Sequence, residues 1–336
     1  MSTRSRFARP SCLLVLALCL MQVSMSMRPA RAAAAAADAV GFIATHSPDG
    51  TEIGIWYPAR GEMRHLVLGP YAQDVAPGAP PVAAPGSHVL PLVVISHGQG
   101  GSFTGHLDTA MALARAGFVV AALTHPGDNW RDSSRATDLA ARPAALSALI
   151  TWMLTASPCA GIIDARRIGA FGFSSGGFTV LAAAGGRPDL TKVGPHCAAH
   201  PGFYDCALLA AHPPVAGART FTRDGRIRAI VVAAPALGFT FDRAGLAGIT
   251  VPVQLWRAGN DKVLPAPFYA DAVHAALPPG VAFHDVPGAG HFDFLAPCTA
   301  EAASLPICTS APGFDRAAFH RDFDAAVVAF FRHTLD

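Results

Sequence analysis

The chain has 336 residues, 51% of them hydrophobic, which is enough for one large α/β domain or two smaller ones with a sizeable core. Its 25 Lys and Arg against 23 Asp and Glu leave a net charge of +2. The basic residues are scattered, with no Lys/Arg stripe interleaved with aromatics, so nucleic acid is excluded as an expected partner.

The first segment reads as a leader. Arg4, Arg6 and Arg9 precede the apolar run "SCLLVLALCLMQV", which is of signal-peptide length and short for a membrane span. "RPARAAAAAADA" then offers small-x-small cleavage sites, for example after Ala32. Residues 1–37 are therefore expected to be a removed secretory signal, leaving an exported protein, periplasmic or secreted. A lipoprotein reading through Cys19 is disfavoured by the bulky Leu18. No second apolar stretch of spanning length follows. Export makes the five remaining cysteines candidates for disulfides. Cys197 with Cys206 and Cys298 with Cys308 can each close a short loop, and Cys159 is left over. There is no C-x-x-C pair, so a zinc site is not expected.

The elements follow in order. "VGFIATHSPDGTEIGIWYPA" predicts two strands around the turn "SPDG". Residues 69–90, rich in Pro, Gly and Ala, predict a surface loop. "LPLVVISHG" is a buried strand ending in a Gly-rich turn, "HLDTAMALARAG" a helix stopped by Gly117, and "FVVAALTHPGD" another buried strand. Pro143 opens the helix "PAALSALITWML". "RRIGAFGF" is a strand running into the helix "SGGFTVLAAAGG". Residues 187–226 look irregular and read as an insertion, either a cap over a site or a surface excursion. "IRAIVVAAPA", "VPVQLWRAG" and "VAFHDVPGAG" are strands; "FYADAVHAAL" and "DRAAFHRDFDAAVVAFFRHTL" are helices. Strands alternating with helices predict an α/β fold in residues 38–336: a mostly parallel central sheet with helices on both faces.

In such a sheet, chemistry gathers at the carboxyl ends of the strands. The strand "RRIGAFGF" ends in Gly-Phe-Ser-Ser-Gly with a helix starting at once. A sharp strand-to-helix turn needs small residues two positions either side of its apex. Centred on Ser174, those positions are Gly172 and Gly176; centred on Ser175, one is Phe173. The register selects Ser174 as nucleophile. Serine needs a base, and the base an orienting acid. In the elbow architecture these follow in the order Ser, Asp, His. Asp261, after "VPVQLWRAG", and His291, in "PGAGHFDF", satisfy that order. Asp242 competes as the acid; Asp293 is too close to His291 in sequence. Among the other histidines, His97, His200 and His284 are weaker candidates, and His125 is a candidate to line the site. The oxyanion needs two N–H donors. Ser175 supplies one, and the turn His97-Gly98-Gln99-Gly100-Gly101 the other, through Gln99 or alternatively Gly98. Trp130, Phe203, Tyr204 and Phe239 are aromatic candidates for the pocket or cap. The chain lacks H-E-x-x-H, the phosphate-loop motif and G-x-G-x-x-G, so no metal or organic cofactor is expected.

The set "SHGQGG", "THPGDN", "GFSSGG", "AGNDKVLP" and "GAGHFDFLAPC" resembles the α/β-hydrolase superfamily. Within it, the chain is similar to secreted bacterial predicted dienelactone hydrolases of the platelet-activating-factor acetylhydrolase type. Cytosolic dienelactone hydrolases use Cys where this chain has Ser174. The resemblance implies a serine hydrolase of small-molecule or lipid carboxylic esters, with Ser174, Asp261 and His291 as triad. In the acetylhydrolase type the acid can follow an earlier strand, which keeps Asp242 in view. Acyl transfer, amide hydrolysis and a non-catalytic binding role are the rival readings.

Overall fold

The computed structural model describes residues 38–83, 89–213 and 220–335. The expected leader, residues 1–37, lies outside them, as do residues 214–219 of the expected cap. Ten strands form one sheet: β1 (Ala39–His46), β2 (Glu52–Ala59), β3 (Arg64–Leu68), β4 (Tyr71–Pro77), β5 (Leu90–Ser96), β6 (Val119–Leu123), β7 (Ile163–Phe173), β8 (Ile227–Ala233), β9 (Val253–Ala258) and β10 (Ala282–Val286). Their spatial order is β10-β9-β8-β7-β5-β6-β2-β1-β4-β3. From β10 through β6 every neighbouring pair is parallel; antiparallel pairs occur at β6–β2, β2–β1 and β4–β3. The turn around Ser47 and Gly50 sets a register in which Ala39 faces Ala59 and His46 faces Glu52.

The central strands are buried on both faces, as a parallel sheet covered by helices requires. Alternation assigns Leu92 and Val94 of β5, Ile168 and Ala170 of β7, and Ile230 and Val232 of β8 to one core. Val93, Ile95, Phe171, Phe173, Val231 and Ala233 belong to the other. The helices are α1 (Leu107–Arg115), α2 (Ala141–Thr155), α3 (Ser175–Ala183), α4 (Val193–Ala199), α5 (Tyr204–Ala211), α6 (Arg243–Leu246), α7 (Ala270–Ala276) and α8 (Arg316–Leu335). Helices α2, α3 and α7 pack in the first core through Leu146, Phe178 and Val273. Helices α1 and α8 pack in the second through Leu113, Phe323, Val327 and Phe331. The expected layering is present.

Three expectations change. Residues 69–90 are not a loop throughout, since β4 occupies Tyr71–Pro77 and buries Tyr71, Gln73 and Val75. The Gln73 carbonyl Oε1 accepts a 2.7 Å hydrogen bond from Trp56 Nε1, a long-range anchor that no local pattern reveals. Residues 187–226 hold two short helices, α4 and α5, joined by the Cys197–Cys206 disulfide. Helix α2 begins two residues before Pro143, which sits in its first turn where its missing N–H costs nothing. The second expected disulfide, Cys298–Cys308, is also formed, and Cys159 is a buried free thiol. Among the described residues no helix is long and apolar enough to cross a membrane.

Candidate active site

β7 ends at Phe173 and α3 starts at Ser175, so Ser174 alone makes the turn. It does so at φ 56° and ψ −119°, a left-handed conformation that a non-glycine residue adopts only when its surroundings impose it. The flanking glycines are required. A Cβ on Gly172 would lie 2.0 Å from the Gly176 carbonyl oxygen, and a Cβ on Gly176 1.9 Å from the Ser96 carbonyl oxygen. The sheet and the helix meet backbone to backbone on either side of the serine.

This geometry lifts the Ser174 hydroxyl to His291, whose Nε2 lies 3.0 Å from Oγ. His291 Nδ1 lies 2.7 Å from Asp261 Oδ2. Asp261 is fixed in turn through its other oxygen, which accepts from Val263 N–H at 2.9 Å and Leu264 N–H at 2.7 Å. Both side chains of the His291–Asp261 pair are buried. Ser174, His291 and Asp261 thus form one hydrogen-bonded chain. Asp242 stands elsewhere: it caps α6 by accepting from Gly245 N–H at 2.7 Å, pairs with Lys192 at 3.0 Å, and leaves 54% of its side chain exposed. Asp293 also has another task. Its Oδ2 accepts from Gly290 N–H at 2.7 Å, and its Oδ1 accepts from Ser310 Oγ at 2.5 Å and Arg316 Nε at 3.1 Å. It holds the loop that carries His291 without touching the imidazole.

The turn after β5 borders the serine. A Cβ on Gly98 would lie 3.2 Å from Ser174 Cβ. Within the turn, Gly100 N–H donates to Asp128 Oδ1 at 3.2 Å and Gly101 N–H to the Gly98 carbonyl at 3.2 Å, which leaves Gln99 and Gly98 as its candidates for an oxyanion donor. Ser175 is the first residue of α3, so its amide has no acceptor within the helix.

Beneath the turn lies a polar layer that sequence reasoning passed over. Arg142, in the first turn of α2, is buried and ion-paired with Asp128 at 2.5 Å. Its Nη2 donates to the His97 carbonyl, and its Nε to Thr179 Oγ1 at 3.1 Å. His97 Nε2 accepts from His125 N–H at 2.9 Å, and His125 Nε2 lies 2.8 Å from Ser96 Oγ. Burial drives both imidazoles well below the ordinary histidine range, with the nearby Arg142 charge adding to it, so they are neutral structural groups.

A cavity of about 1110 Å³ opens on the other side of the same turn. Val67, Tyr71, Trp130, Phe292 and Leu295 give it apolar walls, and Thr299, Leu305 and Ile307 from the Cys298–Cys308 loop close one side. Among the described residues five large hydrophobic side chains are well exposed, and three of them, Val67, Trp130 and Leu305, line this cavity. Of the aromatic and histidine candidates, Trp130 lines this cavity. His125 is not a pocket residue, being sealed at 1% exposure in the layer under the turn. Phe203 and Phe239 are not either; they pack around His196, Phe268 and Tyr269 as the aromatic support of α4 and α5. His200 stacks on Phe203, and His284 on Trp256. Tyr204 reaches the turn itself, its hydroxyl donating to Gln99 Oε1. The Tyr71 wall was hidden because residues 69–90 read as loop, and the polar layer because its partners lie far apart in sequence.

Comparisons with known proteins agree with this architecture. A family profile described as "Platelet-activating factor acetylhydrolase, isoform II" matches residues 58–148, a stretch holding the Gly98–Gln99 turn, Asp128 and Arg142 but not the serine, acid or base. No curated protein matches the chain in sequence. Among solved structures, the chain is similar to a ferulic acid esterase from Streptomyces cinnamoneus, at 20% identity and a TM-score of 0.59, over 90% of this chain and 92% of that one. With that likeness, the strained serine turn and the sheet order, the chain is an α/β-hydrolase by fold.

Proposed function

We propose that the protein is a serine hydrolase that cleaves carboxylic esters through an acyl-enzyme. The observation that carries this reading is the chain Ser174 Oγ–His291 Nε2–Asp261 Oδ2, at 3.0 and 2.7 Å, raised on a strained turn. Ser174 Oγ attacks the ester carbonyl while His291 Nε2 takes its proton. Asp261 holds the imidazole with Nδ1–H toward the carboxylate and stabilises the imidazolium that forms. The amides of Gln99 and Ser175 receive the developing oxyanion, each donor worth about 100- to 1000-fold in kcat. The tetrahedral intermediate collapses, the alcohol leaves with the proton from His291, and a water repeats the sequence to release the acid.

The apolar cavity supports an ester whose bulk is uncharged and hydrophobic, since burial of apolar area against its walls supplies binding. The platelet-activating-factor acetylhydrolase match and the ferulic acid esterase likeness both favour an ester bond. Helices α4 and α5, stapled by Cys197–Cys206 and touching Gln99 through Tyr204, support reading residues 187–226 as a cap over the turn. The two disulfides support an oxidising compartment and hence export.

Turnover of chromogenic esters from acetate to decanoate, with and without an added alcohol, tests the reading. Release of free acid by the wild-type protein and none by Ser174→Ala is the expected result. Absence of turnover across the series, or turnover that survives Ser174→Ala, overturns it. An ester of the added alcohol as the main product assigns acyl transfer instead.

A further inference from the structure

The two proposed oxyanion donors belong to separate pieces of chain. Gln99 lies in the turn after β5, and Ser175 opens α3. A two-point contact to one oxygen works only if those pieces keep a fixed separation, and an error of about 1 Å costs on the order of 100-fold. Hydrogen bonds within either piece cannot set that distance.

One buried guanidinium bonds to both. Arg142 Nη2 donates to the His97 carbonyl, and Nη1 meets Asp128 Oδ2 at 2.5 Å. Asp128 Oδ1 then accepts Gly100 N–H at 3.2 Å. The turn is thus gripped on both sides of Gln99, at residues 97 and 100. From its third nitrogen, Nε, Arg142 donates to Thr179 Oγ1 at 3.1 Å, and that hydroxyl donates to the Ser175 carbonyl at 2.7 Å. Arg142, Asp128 and Thr179 are all buried. The planar fork of an arginine has donors on both edges and at its end, so it can span the two pieces; a lysine ammonium is a single point and cannot.

We propose that Arg142 and Asp128, with Thr179 as the link to α3, are the positioning residues that set the spacing of the two oxyanion donors. The proposal rests on the ester-hydrolase reading. None of the three touches substrate; they act through the Gln99 and Ser175 amides.

The test compares Arg142→Lys, Asp128→Asn and Thr179→Val with the wild-type protein, each first checked for folding by circular dichroism and thermal melting. The expected result for the folded Arg142 and Asp128 variants is a kcat lower by about 10- to 100-fold with KM within about threefold. Thr179→Val, which removes one hydroxyl at nearly constant volume and keeps the ion pair, is expected to lose about threefold to tenfold. Affinity for a trifluoromethyl ketone that forms a tetrahedral adduct should fall in parallel with kcat/KM. The acid limb of the kcat/KM pH profile should stay where it is. Folded variants with kcat and ketone affinity within twofold of wild type overturn the proposal, as does a shift of the acid limb, which would place the effect on the base instead. If Arg142→Lys fails to fold, Thr179→Val alone decides. A wild-type protein that turns over no ester overturns the ester-hydrolase reading itself, whereas an active wild type with unaffected variants overturns this inference only.

Discussion

Among the described residues two Arg–Asp pairs are buried at both partners. Arg142–Asp128 lies under the oxyanion turn at 2.5 Å, and Arg316–Asp293 lies under the His291 loop at 3.1 Å. They look alike but are tied to different things. Arg142 joins the two segments proposed to give one oxyanion donor each. Arg316 joins the base of the His291 loop to the disulfide-closed cavity wall, donating from Nη1 to the Ile307 carbonyl at 2.9 Å and from Nη2 to the Thr309 carbonyl at 3.4 Å. The imidazole itself bonds to Asp261, in the turn after β9. Two similarly buried ion pairs are thus expected to differ in catalytic weight. The weight depends on whether the partners they fix must act together on a reacting atom.

The sharpest way to break this contrast is at Asp261. If that residue orients the base, Asp261→Asn should lower kcat by roughly 10⁴-fold, because the amide favours the wrong tautomer. Asp242→Asn should leave kcat within about threefold and cost only the exposed ion pair with Lys192, since Asn caps α6 as well as Asp does. A larger loss in Asp242→Asn would move the acid to the earlier strand. Next, Arg316→Met leaves the buried Asp293 charge unpaired and should destabilise the protein by about 3–5 kcal/mol in urea unfolding. At a temperature where the variant is folded, KM should rise more than kcat falls, since the cavity wall is loosened and the triad is not. A kcat loss as large as that of Arg142→Lys, at unchanged KM, would erase the difference between the two pairs.

The two sides also titrate oppositely. His97 and His125, on the oxyanion side, have depressed folded pKa values, so they contribute stability above the unfolded value of about 6.5 that is lost as pH falls below it. On the histidine side, His320 donates from Nε2 to the Asp293 carbonyl at 2.8 Å and pairs with Asp108 at 2.6 Å. Burial opposes its charge, but Asp108 outweighs burial and raises its pKa. Burial and then the Asp108 charge push neighbouring Asp324 up to about 8. Groups raised in this way stabilise at low pH and lose that contribution as pH rises through their folded values, for Asp324 between about 4 and 8. Melting temperature should therefore peak near neutrality, and Asp324→Asn, by removing a loss that runs from about pH 4 to 8, should shrink the decline above the peak and steepen the fall below it. An unchanged alkaline limb would contradict this. The smallest effect is expected at Trp130, 66% exposed on the cavity rim. Trp130→Ala should raise KM for long-chain esters by about threefold to tenfold and leave acetate esters unchanged; equal effects on both would remove the cavity from substrate binding.

What was readable in the sequence was what local sterics decide. Gly172 and Gly176 select Ser174 over Ser175 because only there can strand and helix backbones pass, and the structure has them touching. The order of Asp261 and His291 follows from strand ends, which hydrophobic runs mark. The pocket was not readable, because aromatic type does not say which way a ring faces: Trp130 faces the cavity, while Phe203 and Phe239 face His196 and Tyr269. β4 was missed because its partners, β1 and β3, lie across a Gly- and Pro-rich stretch where pairing rather than propensity makes the strand. Arg142 with Asp128, and Arg316 with Asp293, sit 14 and 23 residues apart with no periodic signal, so only the folded chain shows that they meet.

The central claim is that Ser174 is an activated nucleophile. Reaction of the full-length protein with a fluorophosphonate probe, followed by peptide mass analysis, tests it most directly. The account predicts one adduct, on Ser174, formed in the wild type and in Ser175→Ala and absent in Ser174→Ala. No adduct, or an adduct that persists in Ser174→Ala, would contradict it.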